Sequence, residues 1–284
     1  MPSMLKRLKR RIWTRPWTDD QVRKYVGEYR TVHFTHAAEQ AYRERAASGG
    51  SISALLISLL ERGEISGAVV LHSRVEDGRV IPQFVLARTK EDILRAQGSK
   101  YVAVSFTQDA FPLIESAPGP VAVVALPCDA GILRRHLARN PGMDARVALI
   151  ISLFCGHNSE PELAQGVAKR LGKGHGELRE YVFRRGHWRG QLQATYADGT
   201  TLTRPFARFS DYQNLYFFAQ RKCHYCHDHM GYFSDISAGD IWSDRMKGNP
   251  IKHTALLART PRGEEVVARA LAEGVLLGQR EDVQ

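Results

Sequence analysis

The chain has 284 residues, 43% of them hydrophobic and 25% charged; this is the balance of a globular protein with one large or two small cores, and it excludes a disordered polymer. Its longest apolar runs, residues 54–60 and 147–154, fall well short of the ~18–20 residues of a membrane-spanning helix. The formal net charge is +10, and nine Lys or Arg against three acids fall in the first thirty residues, so that the remainder is only mildly basic.

No apolar stretch of ~7–15 residues follows the basic N-terminus. Neither a secretory nor a twin-arginine signal is expected, and a cytoplasmic location follows, where thiols stay reduced. Residues 1–24 read as a basic tail. Within it Leu5, Leu8 and Ile12 lie at helical spacing among Lys6, Arg7, Lys9, Arg10 and Arg11, which suits either a solvated tail or a short amphipathic helix resting on an anionic surface. No helix-turn-helix, RNP or zinc-finger spacing accompanies the charge, so no nucleic-acid partner is expected.

After Ser48-Gly49-Gly50-Ser51, the residues Ile52, Leu55, Leu56, Leu59 and Leu60 form the stripe of a helix with one buried face. Gly63 stands where a left-handed cap would end it. Strands are expected at residues 67–71 and 81–86 around the turn Glu76-Asp77-Gly78, then a helix from Lys90 and a strand over 101–104. The pattern continues as strand 121–126, helix 129–138, strand 148–154 and helix 161–171. Strands separated by helices pair in parallel through right-handed crossovers. Beyond them come strands near 181–183 and 192–196, the turn Ala197-Asp198-Gly199, an aromatic run over 212–218, a strand near 254–258 and a last helix over 262–273. The expected fold is therefore α/β, with a mixed, largely parallel sheet and flanking helices in the middle of the chain and a β-rich C-terminal portion.

The chain has four cysteines, and in a reducing compartment they are metal ligands or redox groups before they are disulfides. Cys223 and Cys226 form a C-x-x-C turn. Cys128 and Cys155 follow the apolar runs of two successive strands, at the sheet edge where α/β proteins bind ligands. Four converging thiolates suit tetrahedral zinc or a 4Fe-4S cluster, and spacing alone does not separate the two. His224, His227 and His229 favour zinc. A zinc-stabilised binding module is accordingly one reading, and a dithiol at Cys223 and Cys226 is another.

Seven segments in order resemble the beta-subunit family of coenzyme F420 hydrogenase and dehydrogenase. They are Ala47-Ser48-Gly49-Gly50, Gly98-Ser99-Lys100-Tyr101, Leu126-Pro127-Cys128, Phe154-Cys155-Gly156-His157, Arg184-Arg185-Gly186-His187-Trp188, Cys223-His224-Tyr225-Cys226, and residues 234–242 from Ser234 through Asp235 and Asp240 to Trp242. The resemblance implies an oxidoreductase in which Cys128, Cys155, Cys223 and Cys226 ligate one 4Fe-4S cluster. It also implies FAD, held by Gly49, Gly50, Ser51, Gly98, Ser99, Lys100 and Tyr101. Chemistry agrees with this: paired glycines admit a pyrophosphate to the backbone, the amides of the next helix carry partial positive charge, and Lys100 adds a cation. The implied division is a flavin-binding half over 25–118 and an iron-sulfur half over 119–284. The implied partners are ferredoxin or coenzyme F420, with a partner subunit. A non-catalytic subunit that uses the same cysteines structurally is the alternative. No cysteine remains for a second cluster.

Overall fold

The computed structural model describes residues 17–186, 190–241, 246 and 248–282. The basic stripe at Leu5, Leu8 and Ile12 lies outside the described residues, as do His187, Trp188 and Trp242.

Helix α1 (Asp19–Val26) opens the described chain. Thr18 and Gln21 form a reciprocal capping box, Asp19 and Asp20 lie in the first turn, and Arg23 and Lys24 in the last; each charge complements the helix dipole. Val22 and Val26 are buried. Residues 19–24, which read as tail on charge alone, are therefore a docked helix, because a cap and two apolar anchors outweigh the basic composition.

The remaining elements are β1 (Thr31–Ala37), α2 (Ala41–Glu44), α3 (Ser51–Glu61), β2 (Gly67–Glu76), β3 (Arg79–Ala87), α4 (Lys90–Arg95), α5 (Phe106–Glu115), β4 (Val121–Ala125), α6 (Pro127–Leu137), α7 (Pro141–Asp144), β5 (Val147–Leu153) and α8 (Pro161–Leu171). They continue with β6 (Leu178–Arg185), β7 (Gln191–Tyr196), β8 (Thr201–Pro205), α9 (Ala207–Gln213), a 3₁₀ turn (Arg221–Tyr225), β9 (Ile236–Asp240), β10 (Thr254–Ala258), α10 (Pro261–Ala272) and β11 (Leu276–Glu281).

Eight strands make one mixed sheet in the order β11-β1-β10-β9-β5-β4-β2-β3. Its centre, β2-β4-β5-β9, is parallel, as expected from the alternation of strands and helices. Both flanks are antiparallel: β3 pairs with β2, and β10, β1 and β11 follow from β9. On one face α3 and α10 bury Leu55, Leu56, Leu59, Val266 and Val267. On the other, α5 and α6 bury Ile114, Leu133 and Leu137. Each such side chain contributes about 1.5–3 kcal/mol by leaving water. The second sheet, β6-β7-β8, packs Phe183 and Leu192 against Leu163 of α8 and Phe209 of α9. Strands from residues 25–118 and 119–284 thus share a single sheet. No helix of the described residues is long and apolar enough to cross a membrane.

One expected strand is absent. Residues 101–104 are irregular, because their partner is the segment beyond β5: Ala103 N donates to Ser159 O (2.7 Å) and Asn158 Nδ2 to Val102 O (3.3 Å). Helix α5, with Pro112 inside it, and strands β1, β8 and β11 have no counterpart in the sequence pattern.

Candidate cofactor site

Cys128 is the second residue of α6 and Cys155 lies two residues beyond β5. Because β4 and β5 pair in parallel, both cysteines stand at the carboxyl edge of the sheet, as their spacing implied. The C-x-x-C loop is laid against the same edge by its backbone. Gln220 N donates to Asn158 O (3.1 Å), Glu160 N to Phe218 O (2.8 Å) and Cys155 N to His229 O (3.0 Å); Asn158 N reaches Cys223 Sγ at 3.5 Å.

The four cysteines are free and partly buried. Burial pushes the Cys155 thiol up to about 12, with further upward contributions from Cys128, Cys223 and Cys226. Burial and Asp129 push Cys128 up to about 11 against the opposing charge of Lys222. Burial thus disfavours thiolates at Cys128 and Cys155 unless a positive centre stands beside them. Among the described residues, no group of three His, Cys, Asp or Glu side chains is arranged to hold a metal ion.

A cavity of ≈ 260 Å³ opens beside the cysteines, just under the ~300–1,000 Å³ of ordinary ligand pockets. Gly50, Ser51, Gly98, Ser99, Lys100 and Tyr101 line it, and so does Cys155. The glycine-serine segments and one of the four cysteines therefore share a wall, which Asp129 and Lys222 also line; Lys222 Nζ lies 3.6 Å from Asp129 Oδ1. Gly50 is the N-cap of α3 at φ +76° with no side-chain cap, which leaves first-turn amides to face the cavity. Buried Gln97 Oε1, in the same wall, has no hydrogen-bond partner. It is an orphaned acceptor of the kind that a ligand N–H satisfies.

Two expected residues act differently from the sequence reading. Gly49 lies behind the wall: a Cβ there would meet Thr35 O at 2.6 Å, and its amide donates to Thr254 Oγ1 (2.9 Å), so its smallness serves packing. Lys100 donates its ammonium to Ala96 O and to Gln97 O (2.9 Å), closing the end of α4, and burial pulls it down to about 7.

The cation that addresses the cavity segments is Arg184 of β6. It is 5% exposed. Its Nη1 lies 2.5 Å from Asp240 Oδ2 and 3.4 Å from Tyr101 OH, and its Nη2 donates to Ala47 O (2.8 Å). Lys252 Nζ donates to Ala46 O (2.7 Å) and Ala47 O (3.1 Å); burial, then the Arg184 charge, pull it down to about 8. In the sequence, residues 184–188 carry a resemblance without a role, and Lys252 carries no signal. The paired acids also separate. Asp240 lines the cavity, whereas Asp235 is structural: it accepts from Ile150 N (2.8 Å), Arg134 Nη2 (2.7 Å) and Thr260 Oγ1 (2.7 Å).

A mixed α/β sheet whose carboxyl edge carries Cys128 and Cys155 beside a cavity is of the class that binds ligands at that edge. Two family models cover most of the sequence. The one described as coenzyme F420 hydrogenase/dehydrogenase, beta subunit N-term, matches residues 32–108, and its C-terminus counterpart matches residues 119–282. The chain belongs to this oxidoreductase family. It is 25% identical to coenzyme F420 hydrogenase subunit beta of Methanosarcina barkeri over 264 residues, 88% of this chain and 82% of that protein. It is 28% identical to a component of the F(420)H(2) dehydrogenase of Methanosarcina mazei over 76% of this chain and 57% of that one. It is 27% identical to the coenzyme F420-dependent sulfite reductase of Methanocaldococcus jannaschii, of which it spans 37%. A chain in the structure of the F420-reducing [NiFe] hydrogenase complex from Methanosarcina barkeri shares the fold, with a TM-score of 0.68 at 24% identity over 90% of this chain and 83% of that one.

Proposed function

We propose that the chain is an electron-relay subunit that holds FAD in the ≈ 260 Å³ cavity and one 4Fe-4S cluster on Cys128, Cys155, Cys223 and Cys226. Coenzyme F420 or ferredoxin is the donor or acceptor, and a partner subunit completes the enzyme. The observation that carries this reading is the common wall: Gly50, Ser51, Gly98, Ser99, Lys100 and Tyr101 face the same space as Cys155. When bound, the flavin would supply exchange between electron pairs and single electrons, and the cluster on the four cysteines would supply one-electron chemistry.

The chain's own part is positioning. The first-turn amides of α3 favour an anionic group beside Gly50. Arg184 fixes the loop at Ala47, the hydroxyl of Tyr101 and the end of β9 relative to one another. Gln97 Oε1 offers an acceptor to a ring or ribose donor. Four partly buried thiols with no disulfide between them supply the soft ligands that a 4Fe-4S cluster takes. In this reading residues 25–118 are the flavin half and residues 119–284 the iron-sulfur half, and Asp240, held by Arg184, is one of the second half's contributions to the pocket wall. A reducing cytoplasm suits four free thiols.

The test is anaerobic purification followed by iron, sulfide, zinc and released-flavin assays on one sample. About four iron atoms per chain and a bound flavin are expected, and Cys155→Ser should abolish the iron. Zinc in place of iron, with no flavin, overturns the proposal.

A further inference from the structure

Beyond the C-x-x-C loop lies an apolar surface that no packing accounts for. Leu215 is 56% exposed, Phe217 83% and Tyr225 74%; Tyr212, Tyr216 and Phe218 are also exposed. Globular surfaces seldom gather so many large apolar side chains in one stretch unless a partner covers them. Aromatic side chains are the usual anchors of protein interfaces.

The stretch is held rigidly. Tyr216 adopts φ +61°, one of two non-glycine positive-φ residues among those described. Such a conformation persists only where the surroundings impose it. Here the ring of Tyr216 stacks on His157 at 4.1 Å between centroids, its amide donates to Gln213 O (3.0 Å), and its carbonyl accepts from Ala219 N (3.1 Å). The isolated bridge between Ser159 and Ala219 pins the other end. The turn presents Phe217 to solvent as a preformed knob, so little ordering entropy is lost when a partner covers it.

Charge narrows the partner. Arg208, one helical turn before Tyr212 on α9, together with Arg221 and Lys222, is exposed, and the exposed acid among residues 207–227 is Asp211. Half-buried Glu160 lies across the bridge. Tyr225 stands between Cys223 and Cys226, so a partner seated on it covers the two thiols closest in sequence to this surface.

We propose that the aromatic surface from Tyr212 to Tyr225 is the docking face for an acidic, one-electron iron-sulfur carrier protein. The inference rests on the cluster assigned above to Cys128, Cys155, Cys223 and Cys226. Each encounter moves one electron between the carrier's cluster and this one; one is oxidised as the other is reduced, with no bond made or broken. The apolar knob supplies residence time, and the cations steer the approach.

The experiment is calorimetric titration of the purified, iron-loaded chain with an oxidised, acidic bacterial ferredoxin carrying two 4Fe-4S clusters. Binding that weakens between about 20 mM and 300 mM salt is expected, since the Debye length shortens over that range. Phe217→Ser and Arg208→Glu should each weaken it about tenfold or more, with iron content and melting temperature unchanged. Wild-type affinity in both variants, or no binding by the parent at low salt, overturns the proposal. So does a parent dimer in sedimentation that Phe217→Ser dissolves, because a second copy would then own the face. Titration reads docking and the iron assay reads the cluster: a chain that lacks iron yet loses ferredoxin through Phe217→Ser keeps this surface and refutes the cluster instead.

Discussion

Arg184 joins three segments that are far apart in sequence. A buried guanidinium paired with a carboxylate gains less than its Coulomb energy, because both groups have left water, but removing one partner strands the other. Arg184→Met should therefore destabilise the fold by about 3–5 kcal/mol in urea unfolding, and Arg184→Met/Asp240→Asn should recover part of that loss. A double-mutant cycle with a coupling below about 0.5 kcal/mol would show that the pair acts independently. Flavin content should fall in the single variant even among folded molecules, since Ala47 and Tyr101 lose their common donor. This residue shows where the sequence stops being legible. The four cysteines announce themselves by type and spacing, and the placement of Cys128 and Cys155 beyond β4 and β5 follows from alternating strands and helices. Arg184 is an arginine among forty Lys and Arg, and only the fold brings it to Asp240, Tyr101 and Ala47 behind the cavity wall.

At the scale of elements, local signals read well wherever a side-chain pattern and a stop signal agree. Helix α3 has its apolar stripe and ends before Gly63, at φ +69°. Helix α8 and strand β10 fall where expected. The misses have opposite physics. Strands β1 and β11 are specified by partners distant in the chain, and α5 carries Pro112, a residue that argues against a helix. Glycines with the same backbone angle also differ by context. At Gly63 a Cβ would enter open space, whereas at Gly50, φ +76°, it would clash with the carbonyl oxygen of Tyr42. Gly63→Ala should cost about 1 kcal/mol from backbone strain alone. Gly50→Ala should cost clearly more and lower flavin affinity, because the loop must withdraw from the cavity to relieve the clash. Equal thermal stabilities for the two variants would contradict this account.

The whole molecule is tied front to back by charge as well as by its sheet. Glu64, after α3, meets Arg62 at 2.9 Å, Arg262 at 2.8 Å and Arg269 at 2.8 Å, which joins α3 to α10. Burial alone would raise its carboxyl, but hydrogen bonds from the three arginines outweigh this and hold it down at about 2. A depressed carboxylate stabilises the fold fully above its unfolded value near 4.5 and loses that contribution as pH falls through about 2. Glu64→Gln should therefore lower stability at neutral pH and flatten the decline between pH 4.5 and 2. A parallel decline in parent and variant, followed by circular dichroism, would place the acid-sensitive group elsewhere.

The strand order β11-β1-β10-β9 also has a bearing on biosynthesis. Strand β1, made early, has both of its neighbours near the end of the chain: Thr31 pairs with Ala258 and Ala37 with Leu276. A growing polypeptide must carry this strand unpaired until residues 254–281 have been translated, and closing so long a loop is slow. The cavity inherits that delay, because its wall includes Thr254 of β10 beside Ala47, Tyr101, Cys155 and Asp240. A ribosome-stalled or truncated product ending before β10 therefore has an exposed β9 edge and an incomplete cavity wall.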